Sequence, residues 1–340
     1  LKALVYEAPL KFAIKEIPKP TVKENQVLIQ VKACGICKTD LHIHKGEFIS
    51  AFPLTPGHEF AGDIVEVGSK VTDFKVGDRV TADNTVLCGH CYYCRRDQPL
   101  FCENFYSLGC NGPGGFAEYV VVNHDKVFAI SKNLAYEDAI FAEPTACAMH
   151  GLDIIDVRPG DDILLFGAGP TGLIMAQLLK LCGAANLVVA APTMKKLKLA
   201  KTYGADYIIQ VDRNNPAAHK GELNKLFPKG FDIVIDATGA ASVTEQSLQY
   251  AKNGGKVVIY GVCNEDDIIK VSPYEIFKRE LKLIGSFAQT HCFDRALKYL
   301  ENGGVNVKGL ATDVFSLDDY GKAIQQIMED HETIKVVIKP

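Results

Sequence analysis

Four cysteines fall within the fifteen residues CGHCYYCRRDQPLFC: Cys88, Cys91, Cys94 and Cys102. The spacing C-x2-C-x2-C-x7-C lets one loop present four thiolates to a structural zinc ion, with zinc–sulfur bonds of about 2.3 Å. An iron–sulfur run of the bacterial type closes with a gap of about three residues and then Pro; here the last gap is seven and Glu103 follows. Four bare thiols at this density, or a nucleic-acid zinc module whose only loop cations are Arg95 and Arg96, are the weaker alternatives. Four thiolates close the shell around zinc and leave no open position, so this loop is scaffolding.

A second set could carry a reaction. GICKTDLHIHKGEF and TPGHEFAG supply Cys37, His58 and Glu59: one sulfur, one nitrogen and one carboxylate, a mixture suited to catalytic zinc. Taken singly, a buried Cys reads as core and a His–Glu pair as solvated surface; the combination carries the expectation. FAEPTACAMHG adds Glu143 just before the sequence changes texture, where a site at a domain seam would form. Thr39 and His42 follow Cys37 at spacings that let both face a metal. Taken alone, Thr39 reads as a capping hydroxyl and His42 as a surface histidine. Asp40 and His44 read as structural, Asp40 as the anchor of a backbone turn.

The third set is DDILLFGAGPTGLIMAQLLK, with Gly167, Gly169, Pro170, Thr171 and Gly172 lying between an apolar strand and a helix. In that context Gly-x-Gly-x-x-Gly is a dinucleotide-binding turn. Gly167 permits the tight bend, Gly169 lets backbone approach a pyrophosphate, and Gly172 lets the helix pack closely. The next strand ordinarily ends in an acid that binds the ribose 2′-hydroxyl of NAD. Here the position is Ala191, in NLVVAAPTMKKLK, and no Asp or Glu appears before Asp206. The barrier to a 2′-phosphate is therefore absent, and Thr193, Lys195 and Lys196 could hold one. The lysines read otherwise as the solvated face of the following helix. The expectation is NADP(H) ahead of NAD(H), with dual use open.

The elements that must position these groups are of two kinds. Up to about residue 140 the chain shows short β-rich segments broken by Gly, Pro and Asp, such as QVLIQVKAC, EFAGDIVEVG, VGDRVTA and AEYVVVN; they suggest an irregular barrel. From about residue 150, six compact apolar runs alternate with helix-like stretches: DDILLFG, NLVVAA, DYIIQ, FDIVID, GKVVIYG and LKLIGS. Such runs are strands buried on both faces of a doubly wound α/β sheet. The tail, ending in IKVVIKP, returns to mixed helix and strand and could complete the first domain.

Composition narrows the function. The 340 residues, 47% apolar, suffice for two cores, and no apolar run reaches the length of a membrane span. The 37 basic against 41 acidic side chains give no positive field for nucleic acid. The first residues lack the features of a secretory signal, so the eleven cysteines are expected to be reduced thiols and metal ligands in a cytoplasmic protein.

In this order, GICKTDLH, PGHEFAG, the four-cysteine loop and GAGPTG resemble the zinc-dependent medium-chain dehydrogenase/reductase family over the whole chain. GHE followed by EP is similar to its polyol branch, which includes sorbitol, xylitol and arabinitol dehydrogenases. The resemblance implies a GroES-like β-barrel catalytic domain (1–147 and 285–340) and a Rossmann domain of six parallel strands (148–284). It implies two zinc ions per subunit and a homodimer or homotetramer. It places the catalytic zinc on Cys37, His58 and Glu59, with Glu143 as a fourth ligand or as partner to a zinc-bound water. It assigns Thr39 and His42 to carrying the alcohol proton to solvent, and implies reversible oxidation of a secondary alcohol with NAD(P). Animal sorbitol enzymes lack the structural-zinc cysteines, so the full set here favours microbial relatives.

Arabinitol, xylitol, sorbitol, butanediol and simple secondary alcohols all remain candidate substrates, as does carbonyl reduction. Phe48, Phe105 and Phe287 are lining candidates that read equally as core. A zinc-containing binding module would not explain the glycine turn, and a zinc-free quinone or enone reductase would not need Cys37, His58 and Glu59. Lys195→Glu is expected to raise the Michaelis constant for NADP and leave that for NAD unchanged; initial-rate kinetics showing equal constants would reject the lysine's role.

Overall fold

The computed structural model describes residues 1–212 and 215–340. The chain divides into two compact units, Leu1–Ala146 with Gln289–Pro340, and Cys147–Ala288.

The first unit is organised by the strand Gln26–Ile36, whose β-branched and small residues are buried almost throughout. It sits inside a seven-stranded mixed sheet. On one side come Lys335–Lys339 and then Ala311–Ser316; on the other come Glu59–Val67, Arg79–Ala82 and Val127–Ala129, while Tyr119–Asn123 pairs with Gln26–Ile36 directly. All pairs are antiparallel except Ala311–Ser316 with Lys335–Lys339. Two register shifts, at Leu28/Ile29 and Val31/Ala33, bend the pairing with Glu59–Val67. The irregular β architecture expected from short runs takes this form. The register aligns Gly35 with both Glu59 and Val337, so residues from three distant parts of the chain meet at one place. Leu4, Tyr6, Ile29, Phe60, Phe116, Tyr320 and Val336 belong to the core beneath.

The second unit holds the six expected strands in one parallel sheet. Counting from Asp162–Phe166 as first, the order is 3-2-1-4-5-6: Tyr207–Gln210, Asn186–Ala191, Asp162–Phe166, Phe231–Asp236, Ala251–Ile259, Lys282–Gly285. This is the doubly wound dinucleotide-binding order, with the direction of winding reversing beside the first strand. Helices Pro170–Leu181 and Met194–Thr202 follow the first two strands. The near-continuous burial of ILLF and LVVAA marks strands covered on both faces. No helix among the described residues is long and apolar enough to cross a membrane.

One polar contact within the first core is sensitive to acid. Tyr6 Oη lies 2.7 Å from His44 Nδ1 and 3.4 Å from Tyr320 Oη. Burial, with help from the Lys45 charge, holds His44 below its ordinary 6.5. Between the folded and unfolded pKa values the unfolded chain therefore binds more protons, so this contribution to stability is complete above about 6.5 and is lost as pH falls toward the folded value. Melting temperatures measured from pH 8 to 5 should fall more steeply for the native chain than for His44→Gln; parallel curves would reject the assignment.

Candidate functional site

The cysteine loop folds as the spacing predicts. One ligand atom from each of Cys88, Cys91, Cys94 and Cys102 lies within 4.8 Å of all the others. Bonds of about 2.3 Å in a tetrahedron put sulfurs about 3.8 Å apart; Cys91 Sγ and Cys102 Sγ are 3.9 Å apart, too far for a disulfide. Backbone N–H groups point at the sulfurs: Cys91 donates to Cys88 Sγ, and Cys88 and Asn104 donate to Cys102 Sγ, each at 3.4 Å. Amide donors, the His90 N–H first, bring the Cys88 thiol down to about 6, while desolvation and the neighbouring Cys91 push Cys94 up to about 12. Four thiols this close cannot all ionise without a cation between them, and the donor set fits zinc.

The second cluster is assembled from distant parts of the chain. Cys37 precedes helix Lys38–Lys45, and its backbone N–H donates to Asp40 Oδ2 at 2.8 Å in a reciprocal capping box. His58 immediately precedes the strand Glu59–Val67, which Glu59 opens, and both are almost wholly buried. Ligand atoms of Cys37, His58 and Glu59 all lie within 4.8 Å of one another. Asp40 Oδ1 and His58 Nδ1 are buried without hydrogen-bond partners, 3.8 Å apart. A carboxylate beside an imidazole is the usual outer partner of a metal-binding histidine. Burial opposes charge on His58, but the Cys110 thiol and Asp40 outweigh it and push the imidazole up. Surroundings that attract a proton there also attract a metal cation. A Cβ at Gly35 would collide with Glu59 Oε2, so the carboxylate occupies room that only glycine leaves. These features fit a divalent zinc.

Glu143 lies in the first turn of helix Ala142–Ile155 and stands outside the triplet within 4.8 Å. Its charge reaches Lys335, whose ammonium is buried against Glu59, 2.8 Å from Oε1 and 2.6 Å from Oε2, and 3.3 Å from the Ile36 carbonyl. Burial alone would drive the proton off Lys335; Glu59, Cys37 and Glu143 hold it on. Thr39 Oγ1 is 3.7 Å from Cys37 Sγ. His42 Nδ1 lies 2.6 Å from Glu47 Oε2. Asp40 is the turn anchor expected of it. Phe48 packs against Ile43, Leu54 and Cys110, Phe105 is half-buried, and Phe287 is exposed.

In the second unit, Gly167 has φ +113° and donates its N–H to the Ala190 carbonyl at 2.9 Å. A Cβ on Gly172 would strike the Gly167 carbonyl, whereas one on Gly169 meets nothing. Gly169 sits beside open space at the N-terminus of Pro170–Leu181, which Pro170 and Thr171 begin. Ala191 is the buried last residue of its strand, and Thr193 immediately precedes helix Met194–Thr202 with no side-chain cap. Lys195 is exposed and Lys196 half-buried. Asp206 is occupied elsewhere, 2.8 Å from Lys180. Sequence reasoning missed Lys335, Gly35, Glu47 and Cys110. Only Glu47 left a local trace, in its spacing from His42.

Residues 23–132 match the alcohol dehydrogenase GroES-like domain, and residues 170–302 match the zinc-binding dehydrogenase model. D-arabinitol dehydrogenase 1 of Uromyces fabae is 45% identical over 100% of this chain and 97% of its own. A structure from Sinorhizobium meliloti, described as a zinc-binding dehydrogenase bound to NADP, superposes with a TM-score of 0.92 at 33% identity, covering 100% of this chain and 99% of its own. A short chain alcohol dehydrogenase from E. coli, complexed with NADH, gives 0.91 at 30% identity and the same coverage.

Removing Lys335 should expose what it does. Lys335→Met leaves Glu59 buried without its counter-charge, a loss of about 3–5 kcal/mol for such pairs. A bound divalent cation would replace part of that charge. Urea unfolding should therefore show a larger deficit for Lys335→Met after chelation than with zinc; equal deficits would mean that no cation neighbours Glu59.

Proposed function

The chain belongs to the zinc-dependent medium-chain dehydrogenase/reductase family, and on that premise we propose that its substrate is a pentitol, D-arabinitol first, oxidised to the ketose with NADP. It is a zinc-dependent, NAD(P)(H)-linked dehydrogenase acting on a secondary alcohol or polyol. The observation that carries the proposed site is the meeting of Cys37, His58 and Glu59 within 4.8 Å, with His58 and Glu59 buried and Cys37 half-buried. The pentitol assignment is supported by the full-length similarity to an arabinitol dehydrogenase.

When bound at that triplet, zinc supplies Lewis acidity that makes a substrate hydroxyl easier to deprotonate. The protein's own groups do the rest. Thr39 Oγ1 accepts the substrate hydroxyl's proton as it gives up its own, which passes by way of the cofactor ribose to His42 and on toward solvent. The carbon gives its hydride, with both electrons, to the nicotinamide, so alcohol and NADP⁺ become ketone, NADPH and one proton. Lys335 and Gly35 fix the Glu59 carboxylate, Asp40 fixes the start of the helix that carries Thr39 and His42, and Glu143 would serve as a further ligand or as a hydrogen-bond partner for water there. The glycine turn receives the pyrophosphate at Gly169 and the helix N-terminus. At Ala191 no carboxylate repels a 2′-phosphate, and Thr193, Lys195 and Lys196 bind it. Each chain takes two zinc ions, the second on the cysteine loop.

The protein assembles as a homo-oligomer in the cytoplasm. Support for assembly comes from the edge strand Lys282–Gly285, which pairs on one side only among the described residues. Beside it in sequence are Ile268, Tyr274 and Phe277, the first 87% exposed. Support for the reducing compartment is that Cys88, Cys91, Cys94 and Cys102, and Cys37 with His58 and Glu59, cluster as metal ligands do, which needs reduced thiols.

A grid of initial rates tests the reading: NAD against NADP, over pentitols, hexitols, 2,3-butanediol and simple secondary alcohols, before and after chelation. D-arabinitol with NADP should be fastest, and chelation should abolish turnover. Turnover that survives complete loss of metal would overturn the mechanism. Activity with NAD alone would overturn the cofactor assignment, and a preference for butanediol the substrate.

A further inference from the structure

His42 has an immediate partner that no step above uses. Helix Lys38–Lys45 ends at Gly46, whose φ of +80° is left-handed and whose added Cβ would strike Pro9. The Gly46 N–H donates to the Ile43 carbonyl and the Glu47 N–H to the His42 carbonyl, both at 2.9 Å. This is the Schellman ending, which folds the residue after the glycine back onto the last turn of the helix. An apolar contact commonly joins those two side chains. Here the pair is His42 and Glu47, with Nδ1 and Oε2 2.6 Å apart, the histidine side chain 12% exposed and the glutamate 32%. Ser50 Oγ donates to the Glu47 carbonyl at 2.9 Å and holds the turn from its far side.

We propose that Glu47 is the positioning carboxylate of His42, fixing the ring in the tautomer that lets it accept the alcohol proton. The inference rests on the proposed role of His42 as proton carrier. A carboxylate accepts hydrogen bonds and has none to give when ionised, so its partner Nδ1 carries the ring proton. Nε2 is then the free acceptor. During oxidation Nε2 takes the proton relayed from Thr39 by way of the cofactor ribose, and the resulting imidazolium is stabilised by the Glu47 carboxylate. The proton leaves Nε2 for water and the pair returns to its starting state. In reduction the same transfer runs backward. The orienting logic is that of any base held by a carboxylate at its second nitrogen.

The test uses the zinc-loaded enzyme with saturating NADP and compares Glu47→Gln, Glu47→Asp, His42→Gln and the double variant Glu47→Gln/His42→Gln. Glu47→Gln should lower kcat for alcohol oxidation about tenfold, part of what a positioned base contributes, with KM little changed. Glu47→Asp should recover part of the loss, and the double variant should be no slower than His42→Gln alone. Nitrogen-15 spectra of labelled histidine should show His42 as the Nδ1–H tautomer in the native chain and as a mixture in Glu47→Gln. Multiplicative losses in the double variant, or an unchanged tautomer, would overturn the positioning role while leaving His42 as carrier. Full activity of His42→Gln would instead remove the carrier itself, and the inference with it.

Discussion

The contact on which the first unit depends is the ion pair of Lys335 and Glu59, with side chains 3% and 1% exposed. Two charges out of water cost several kcal/mol each unless every hydrogen-bonding position is met. Lys335 meets the condition: its ammonium faces both oxygens of Glu59 and the Ile36 carbonyl. The arrangement exists because Lys335–Lys339 lies beside Gln26–Ile36, which in turn pairs with Glu59–Val67. A hydrophobic pair of similar volume would be cheaper to bury. What the charged pair provides is a carboxylate fixed in direction and partly neutralised, beside a thiol and an imidazole that a divalent ion can join. Without the lysine, Glu59, Cys37 and Glu143 would press negative charge into one buried place with only a metal to relieve it.

The two zinc-type clusters show how ligand placement divides between local and distant structure. The cysteine loop takes all four donors from fifteen residues and aims its own backbone amides at the sulfurs. Its geometry is written in its spacing, and the sequence therefore shows it completely. The Cys37, His58 and Glu59 set joins a helix start to a strand start, and the sheet register brings them together. Sequence could nominate these three by type and motif. It could not show Lys335, which is 276 positions from Glu59. Gly35 was equally hidden, because the demand for a missing Cβ arises only when Glu59 lies opposite.

The second unit was more legible, for a related reason. Parallel strands buried on both faces leave unbroken apolar runs, and all six runs became strands. The glycine turn carries its requirements locally: a left-handed φ at Gly167 and a helix too near the turn for any side chain at Gly172. Ala191 is the buried end of its strand, where an acid is ordinarily found, and Asp206, the next acid in the chain, is tied to Lys180. By contrast, the short strands of the first unit gave their positions from sequence but not their bulges or partners. A shift of one residue in pairing would turn Glu59 to the opposite face, and nothing within EFAGDIVEV fixes that register alone.

Helix Lys38–Lys45 joins these arguments. At its start, Asp40 accepts from the Cys37 backbone, which sets where the thiol stands relative to His58 and Glu59. At its end, Gly46 reverses the chain and puts Glu47 against His42. One short helix thus fixes the Cys37 sulfur of the Cys37, His58 and Glu59 cluster at one terminus and the His42 ring at the other, with Thr39 between them. Both fixings use backbone hydrogen bonds that a helix end must satisfy in any case. The candidate site groups sit where the chain already needed caps, which is why the motif reads as both a fold signal and a site signal.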